Sequence, residues 1–147
     1  METNLYETDF YAWTQRQAEL MRERHFEELD VENVTEELEA MGRSEKRQLV
    51  DRLAVLIAHL LKWQYQPQER QYRANSWLNT IEEQRERISD HLKENPSLKA
   101  RLDEYFQNGY KYGVLKASKE TGIEKKKFPA DCPYTLKQVL DVEFLPK

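Results

Sequence analysis

Three histidines, one cysteine and a clutch of glutamates are the side chains with chemistry to offer in this 147-residue chain. His59 stands out. It is the one polar residue among the nine from Leu53 to Leu61, in the run LAVLIAHLLKW, and Lys62 and Trp63 follow it. An imidazole so placed serves as a general base, a metal ligand or a hydrogen-bonded core residue. On a helical wheel it falls about 120° from the centre of the apolar stripe. Arg52, Trp63 and Gln66 share that flank at i−7, i+4 and i+7. The ordinary role for such a residue is structural, because buried polar groups are normally paired.

Carboxylates beside a histidine would make a metal or acid–base site, and EELEAMG supplies Glu36, Glu37 and Glu39. Their heights disagree with that of His59. Suppose a hairpin at Gly42-Arg43-Ser44 joins two helices. His59 then stands about 22 Å beyond the turn at 1.5 Å per residue, and Glu36 and Glu37 only about 9 Å before it. Glu28 and Asp30 match His59 better. Glu32, Glu36 and Glu39, at i, i+4 and i+7, read as a solvated helix face. His25, His59 and His91 are too far apart for a local metal motif, and a single cysteine excludes a multi-cysteine zinc site or an internal disulfide. No metal and no cofactor are expected. Cys132 has no histidine near it in sequence to activate it, so it reads as a small structural residue.

The segment WQYQPQERQYRANSW, residues 63–77, holds two tryptophans, two tyrosines, four glutamines and two arginines. Arg70 and Arg73 between aromatics suit stacking on single-stranded nucleic acid. Glu69 offsets one of those charges, and an isoelectric point near 5.5 is unlike that of a nucleic-acid binder. Trp63 and Trp77 fit better as the packing of a joint between two helices, or as part of a protein interface.

The frame that must position these groups is helical. The length suits one domain, 1–147, long enough to bury about two-thirds of its unfolded surface. Hydrophobic residues at 39% and aromatic residues at 11% are too many for disorder, despite 34% charged residues. No run approaches the roughly 20 apolar residues that span a bilayer. The start, METNLYETDFY, is acidic and lacks a leader pattern, so a cytoplasmic protein without membrane contact is expected. Residues 1–41 hold 12 acids and 3 bases, a net −9, which leaves +5 for the rest. Such opposed ends suit an internal electrostatic fit or head-to-tail contact with a second copy.

Four glycines and five prolines punctuate the helices. The first helix is expected from Thr8, as cap, to Arg24, with Phe10, Trp13, Leu20 and Met21 on its apolar side. A second starts at Asp30. Its one-face pattern is Val31, Val34, Leu38 and Met41, and Gly42 is its left-handed end. Ser44 caps a third, to Tyr65, whose stripe of Leu49, Leu53, Leu56, Ile57 and Leu60 is backed by Ala54, Val55 and Ala58. A helix apolar nearly all round is a central one. A fourth lies between Pro67 and Lys93, starting near Gln68 or at Ser76, with Leu78, Ile81, Arg85, Ile88 and Leu92 along one seam. Asn95-Pro96 opens a fifth, to Glu120, with Leu98, Leu102, Tyr105 and Phe106 inward. There Gly109, Gly113 and Ala117 form a smooth groove for a close neighbour, each glycine costing about 1 kcal/mol relative to alanine. Thr121-Gly122-Ile123 closes it. KKKFPADCPY is a loop, and TLKQVLDV is a last short helix.

Read in order, EELEAMG (36–42), HLLKWQYQP (59–67), SWLNTIEEQR (76–85), NPSL (95–98), ETG (120–122) and FPADCP (128–133) resemble the bacterial "domain of unknown function 29" family. Leu78 departs from it, standing where a basic residue would follow the tryptophan. The resemblance implies a compact all-helical bacterial domain and assigns no activity. The expectation is therefore an all-α bundle of about six helices around a central, buried third. Its function is read as a non-catalytic binding or protein-interaction module with an unidentified protein partner or a second copy of itself. The binding candidates are His59, Lys62, Trp63, Arg52, Gln66, Arg73, Trp77, Arg85 and Glu37. The alternative is an enzyme of unassigned class, with RNA as its candidate substrate and His59, Glu37 and Arg85 facing one inter-helix cleft.

Overall fold

The computed structural model describes residues 4–147, and among these no strand occurs. Six α-helices follow in order: α1 (Leu5–Thr8), α2 (Phe10–Arg22), α3 (Val31–Tyr65), α4 (Arg70–Glu94), α5 (Leu102–Thr121) and α6 (Leu136–Leu140). Short 3-10 turns occupy Phe26–Glu28, Pro67–Glu69, Pro96–Arg101 and Lys125–Lys127. Two compact units form, one ending at Ser44 and one over residues 45–147.

In the first unit the expected opening helix is divided at Asp9. Aspartate is the stronger cap, and its side chain accepts from the Ala12 amide at 3.1 Å, while the Thr8 hydroxyl donates back to Asn4 O. α2 closes with Arg24 in the left-handed region, φ 62°. The His25 amide donates to Leu20 O and the Arg24 amide to Met21 O, which is the paired-bond helix ending that glycine usually supplies. Trp13 and Leu20 are the apolar residues buried in this unit. Tyr6, Phe10 and Trp13 pack ring on ring with centroids 4.8–5.8 Å apart. Asp30 accepts from Trp13 Nε1 and from the Asn33 amide, and its own amide donates to Gln17 Oε1.

The hairpin at Gly42-Arg43-Ser44 does not form. α3 runs unbroken for 35 residues through that point. Gly42 keeps a negative φ, unlike Gly122, and a Cβ built on it would meet nothing within 4 Å. A glycine inside a helix costs only about 1 kcal/mol, and the strong helix formers on both sides, EELEAM and EKRQLV, outweigh that.

In the second unit the expected spine is real. Leu49, Leu53, Leu56, Ile57, Leu60 and Leu61 of α3 are fully buried, and Ile81, Ile88 and Leu92 of α4, Tyr105, Tyr110 and Ala117 of α5, Phe128, Tyr134 and Val139 complete the core. α4 starts at Arg70, between the two starts the sequence offers. The smooth groove of α5 is filled from within the chain. A Cβ on Gly109 would stand 2.7 Å from Leu53 Cβ, and one on Gly113 would stand 3.1 Å from Ala54 O. Gly122 ends α5 at φ 80°, and Ile123 turns back against the core, as expected. Thr135 and Gln138 cap α6 reciprocally.

Candidate functional site

Four of the binding candidates come together. Lys62 and Gln66 at the end of α3, and Arg73 and Trp77 in the first turns of α4, line a cleft of about 290 Å³ with Glu69, Glu120 and Thr121. The turn Pro67–Glu69 folds α4 back so that these side chains meet. Lys62 Nζ, nearly buried, donates to Glu120 Oε1 at 2.6 Å. Burial works against the Glu120 charge, yet the bond and charge of Lys62 outweigh it and hold the carboxyl below its ordinary range. Arg73 Nε reaches Glu69 at 3.4 Å. Two cations face two carboxylates, so the cleft is internally neutralised and exerts no net pull on an ion. Trp77 is buried at its floor.

Elsewhere in the 63–77 joint, Trp63 and Arg70 pack on each other, while Tyr72 is exposed. Arg70 lies over the Trp63 ring, 4.6 Å from its centroid, and its Nε donates to Trp63 O at 2.8 Å. The cation stacks and bonds on one tryptophan at once, which locks the turn. His59 is partly buried, and its Nδ1 donates to Val55 O at 2.8 Å, one turn back in its own helix. Burial pushes the imidazole pKa down against that bond, and the nearby Lys62 lowers it further, so the ring is held neutral. Arg52 is half-buried, its Nε without a protein hydrogen-bond partner.

Arg85 is bonded to backbone carbonyls of the chain's last residues. It is buried on α4, its Nε donates to Val139 O at 2.8 Å and its Nη2 to Phe144 O at 2.9 Å. It clamps the chain end against the bundle, and burial lowers its pKa. Glu37, in the first unit, accepts from the Tyr6 hydroxyl and raises that phenol to about 12. Glu37 and His59 lie on one helix, so no hairpin folds the acidic turn toward the imidazole. His59, Glu37 and Arg85 each have a different partner: the Val55 carbonyl, the Tyr6 hydroxyl, and the carbonyls of Val139 and Phe144. Among the described residues no group of three or more His, Cys, Asp or Glu is placed to hold a metal ion.

Two surfaces escaped the sequence reading. The first is the Val31, Leu38 and Met41 face of α3, read as a one-face apolar pattern and found 59%, 61% and 64% exposed. The second is a groove of about 810 Å³ in the second unit, along α5 and the loop 125–132. Phe106, Tyr110, Val114, Leu115 and Phe128 line it, and Lys111, Lys125 and Lys126 border it. Cys132 touches it, but burial pushes its thiol up to about 11, away from reactivity. The signal for this groove was present in KKKFPADCPY, whose lysines precede an apolar Phe-Pro pair, but a loop sequence does not say which helix it lies against.

An all-helical protein, with the later part of its longest helix buried in the core of the second unit, is the class that these features define. Among the described residues no helix is long and apolar enough to cross a membrane. Residues 5–145 match the family described as Domain of unknown function DUF29, and the chain belongs to that family. Comparison with curated proteins and with solved structures returns no match.

Proposed function

We propose that this protein is a non-catalytic interaction module, and that its docking surface is the exposed apolar face at the start of α3 in the acidic first unit. The observation that carries the reading is an imbalance. Of the twelve large hydrophobic residues exposed among the described residues, seven belong to the first unit: Phe10, Tyr11, Met21, Phe26, Val31, Leu38 and Met41. Only Trp13 and Leu20 are buried there. A segment of this size is near the limit at which a core alone suffices, and contiguous exposed apolar surface marks an interaction site. Residues 1–44 carry 12 acids against 4 bases, a net −8; at about 100° per residue, Glu32 and Glu39 stand well round the helix from the apolar stripe and Glu36 stands opposite it. The partner that fits is a basic amphipathic helix, apolar on one side and lysine- or arginine-rich beside it.

The alternative, an enzyme acting on RNA, rests on His59, Glu37 and Arg85 facing one cavity, and the partners of these three give it no support. The test is fluorescence anisotropy with two synthetic amphipathic helices that share one apolar face, one with basic flanks and one with acidic. The basic peptide is expected to bind and the acidic one not. Leu38→Lys should weaken binding about 10-fold or more, since burying a leucine contributes about 1.5–3 kcal/mol. Equal binding of both peptides, or no effect of Leu38→Lys, would overturn the proposal.

A further inference from the structure

We infer that the groove beside α5 binds a small free amphiphile with one anionic head, its alkyl chain on the apolar bed and its head against the lysines. The site lies wholly in the second unit and does not rest on the docking reading above. Its bed is made by Phe106, Tyr110, Val114 and Leu115 of α5, faced by Phe128 and Pro129. Tyr110 and Cys132 bring no charge to it. The Tyr110 hydroxyl donates to Pro129 O, and burial pushes the Cys132 thiol up to about 11. A polar body pressed on such a bed would lose its water without gaining a partner, whereas an apolar one gains by burial. At about 810 Å³, the groove has the size of small-molecule sites, roughly 300–1,000 Å³. From Phe106 to Leu115 it runs about 14 Å along its helix, at 1.5 Å per residue. An extended chain of about eight carbons covers roughly 10 Å, at about 1.3 Å per bond along its zigzag, and leaves room for a head.

The charge of the groove is complementary to an anion. Lys111, Lys125 and Lys126 line it against one carboxylate, Asp131. Lys111 stands one turn before Leu115 on the same side of α5. The reversal at Gly122 sends the chain back along α5, and the Tyr110 hydroxyl fixes Pro129 on the way. Lys125 and Lys126 therefore lie toward the Leu115 end, and Asp131 toward the Phe106 end. Cations gathered toward one end of an apolar trough match a head-and-tail anion. Lys126 has Glu124 at 3.2 Å, both well exposed, and Lys111 lies 5.8 Å from the centre of the Tyr112 ring. Exposed ties of this kind are weak and leave the ammonium groups open to an anion. The neighbouring hollows differ in charge. The cleft at Lys62 sets two cations against two carboxylates, and a groove of about 820 Å³ between α4 and the chain end is rimmed by Glu82, Glu86 and Asp90.

The experiment is calorimetric titration of the full chain with octanoate and with octanamide, which keeps the chain and replaces the charged head by a neutral one of the same shape. Hexanoate measures the tail. Octanoate is expected to bind as one molecule per chain and about 10-fold or more tighter than octanamide. Hexanoate, two methylenes shorter, should bind about 10-fold more weakly, at about three- to four-fold per methylene. High salt should narrow the gap between octanoate and octanamide. Two variants at exposed positions locate the site, with folding checked by circular dichroism. Lys111→Glu/Lys125→Glu should weaken octanoate about 10-fold or more and leave octanamide unchanged. Leu115→Asp should weaken both. Equal binding of octanoate and octanamide, equal binding of octanoate and hexanoate, or a variant that takes octanoate like the wild type would overturn the inference. So would the absence of saturable octanoate binding. Retention of the protein on phosphatidylglycerol vesicles would then mark the lysines as a membrane patch in place of a site for a free amphiphile.

Discussion

Replacing Gly109 by alanine would set a methyl group 2.7 Å from Cβ of Leu53, on the fully buried side of α3. Ordinary carbon contacts begin near 3.5 Å, so α5 must move away from α3 by most of an ångström. Overpacking of this kind costs about 1–3 kcal/mol, and a clash between two Cβ atoms belongs in the upper part of that range because neither can rotate aside. Alanine recovers about 1 kcal/mol of helix propensity. The net expectation for Gly109→Ala is a loss of about 1–2 kcal/mol. Gly42 is the internal control. It too lies inside a helix, but a Cβ there meets nothing within 4 Å. Gly42→Ala therefore shows propensity alone and should gain about 1 kcal/mol. Urea unfolding followed by circular dichroism reads both variants against the wild type. At this chain length, each kcal/mol corresponds to about 3 °C in Tm. Opposite signs are the prediction. A Gly109→Ala variant that melts at or above the wild type would refute the close approach of α5 to α3, and with it the reason for two glycines in that helix.

Arg85→Met keeps the volume but leaves the carbonyls of Val139 and Phe144 without their donor; the expected loss is about 2–4 kcal/mol, with faster amide exchange confined to 136–145. Unchanged exchange there would show that Arg85 does not clamp the chain end. His59 has a folded pKa below its unfolded value of about 6.5, so its contribution is present above pH 6.5 and lost as pH falls through the folded value. His59→Gln should flatten that part of the stability–pH curve between pH 7.5 and 5.5, and His59→Ala should lower Tm; an unaltered slope would remove the burial argument. Cys132, with its thiol near 11, holds a thiolate fraction of only about 10⁻³ at pH 8. It should alkylate slowly in the native protein and rapidly in urea, and equal rates would show that the thiol is open.

Helical class, the left-handed end at Gly122, the last short helix in TLKQVLDV and the buried stripe from Leu49 to Leu60 were legible from residues alone. Each depends on neighbours within about four positions, where spacing and cap chemistry act directly. The cleft was partly legible. Lys62 in the last turn of α3 with Gln66 just past its end, and Arg73 and Trp77 across the Pro67 turn, are close in sequence as well as in space. Glu120 was not, since it meets Lys62 from 58 residues away.

The break expected at Gly42 turned on about 1 kcal/mol, a margin that local pattern does not resolve. Arg85 shows the same limit from another direction. Its place in an apolar seam is written in the heptad spacing, but its partners are carbonyls 53–59 residues further along. Periodicity tells which side of a helix is apolar; it does not tell whether anything covers that side. Val31, Leu38 and Met41 carry the same kind of pattern as Leu49, Leu53 and Leu56, yet the first three are exposed and the second three buried. Burial is a property of what packs against a face, and only the tertiary structure decides that.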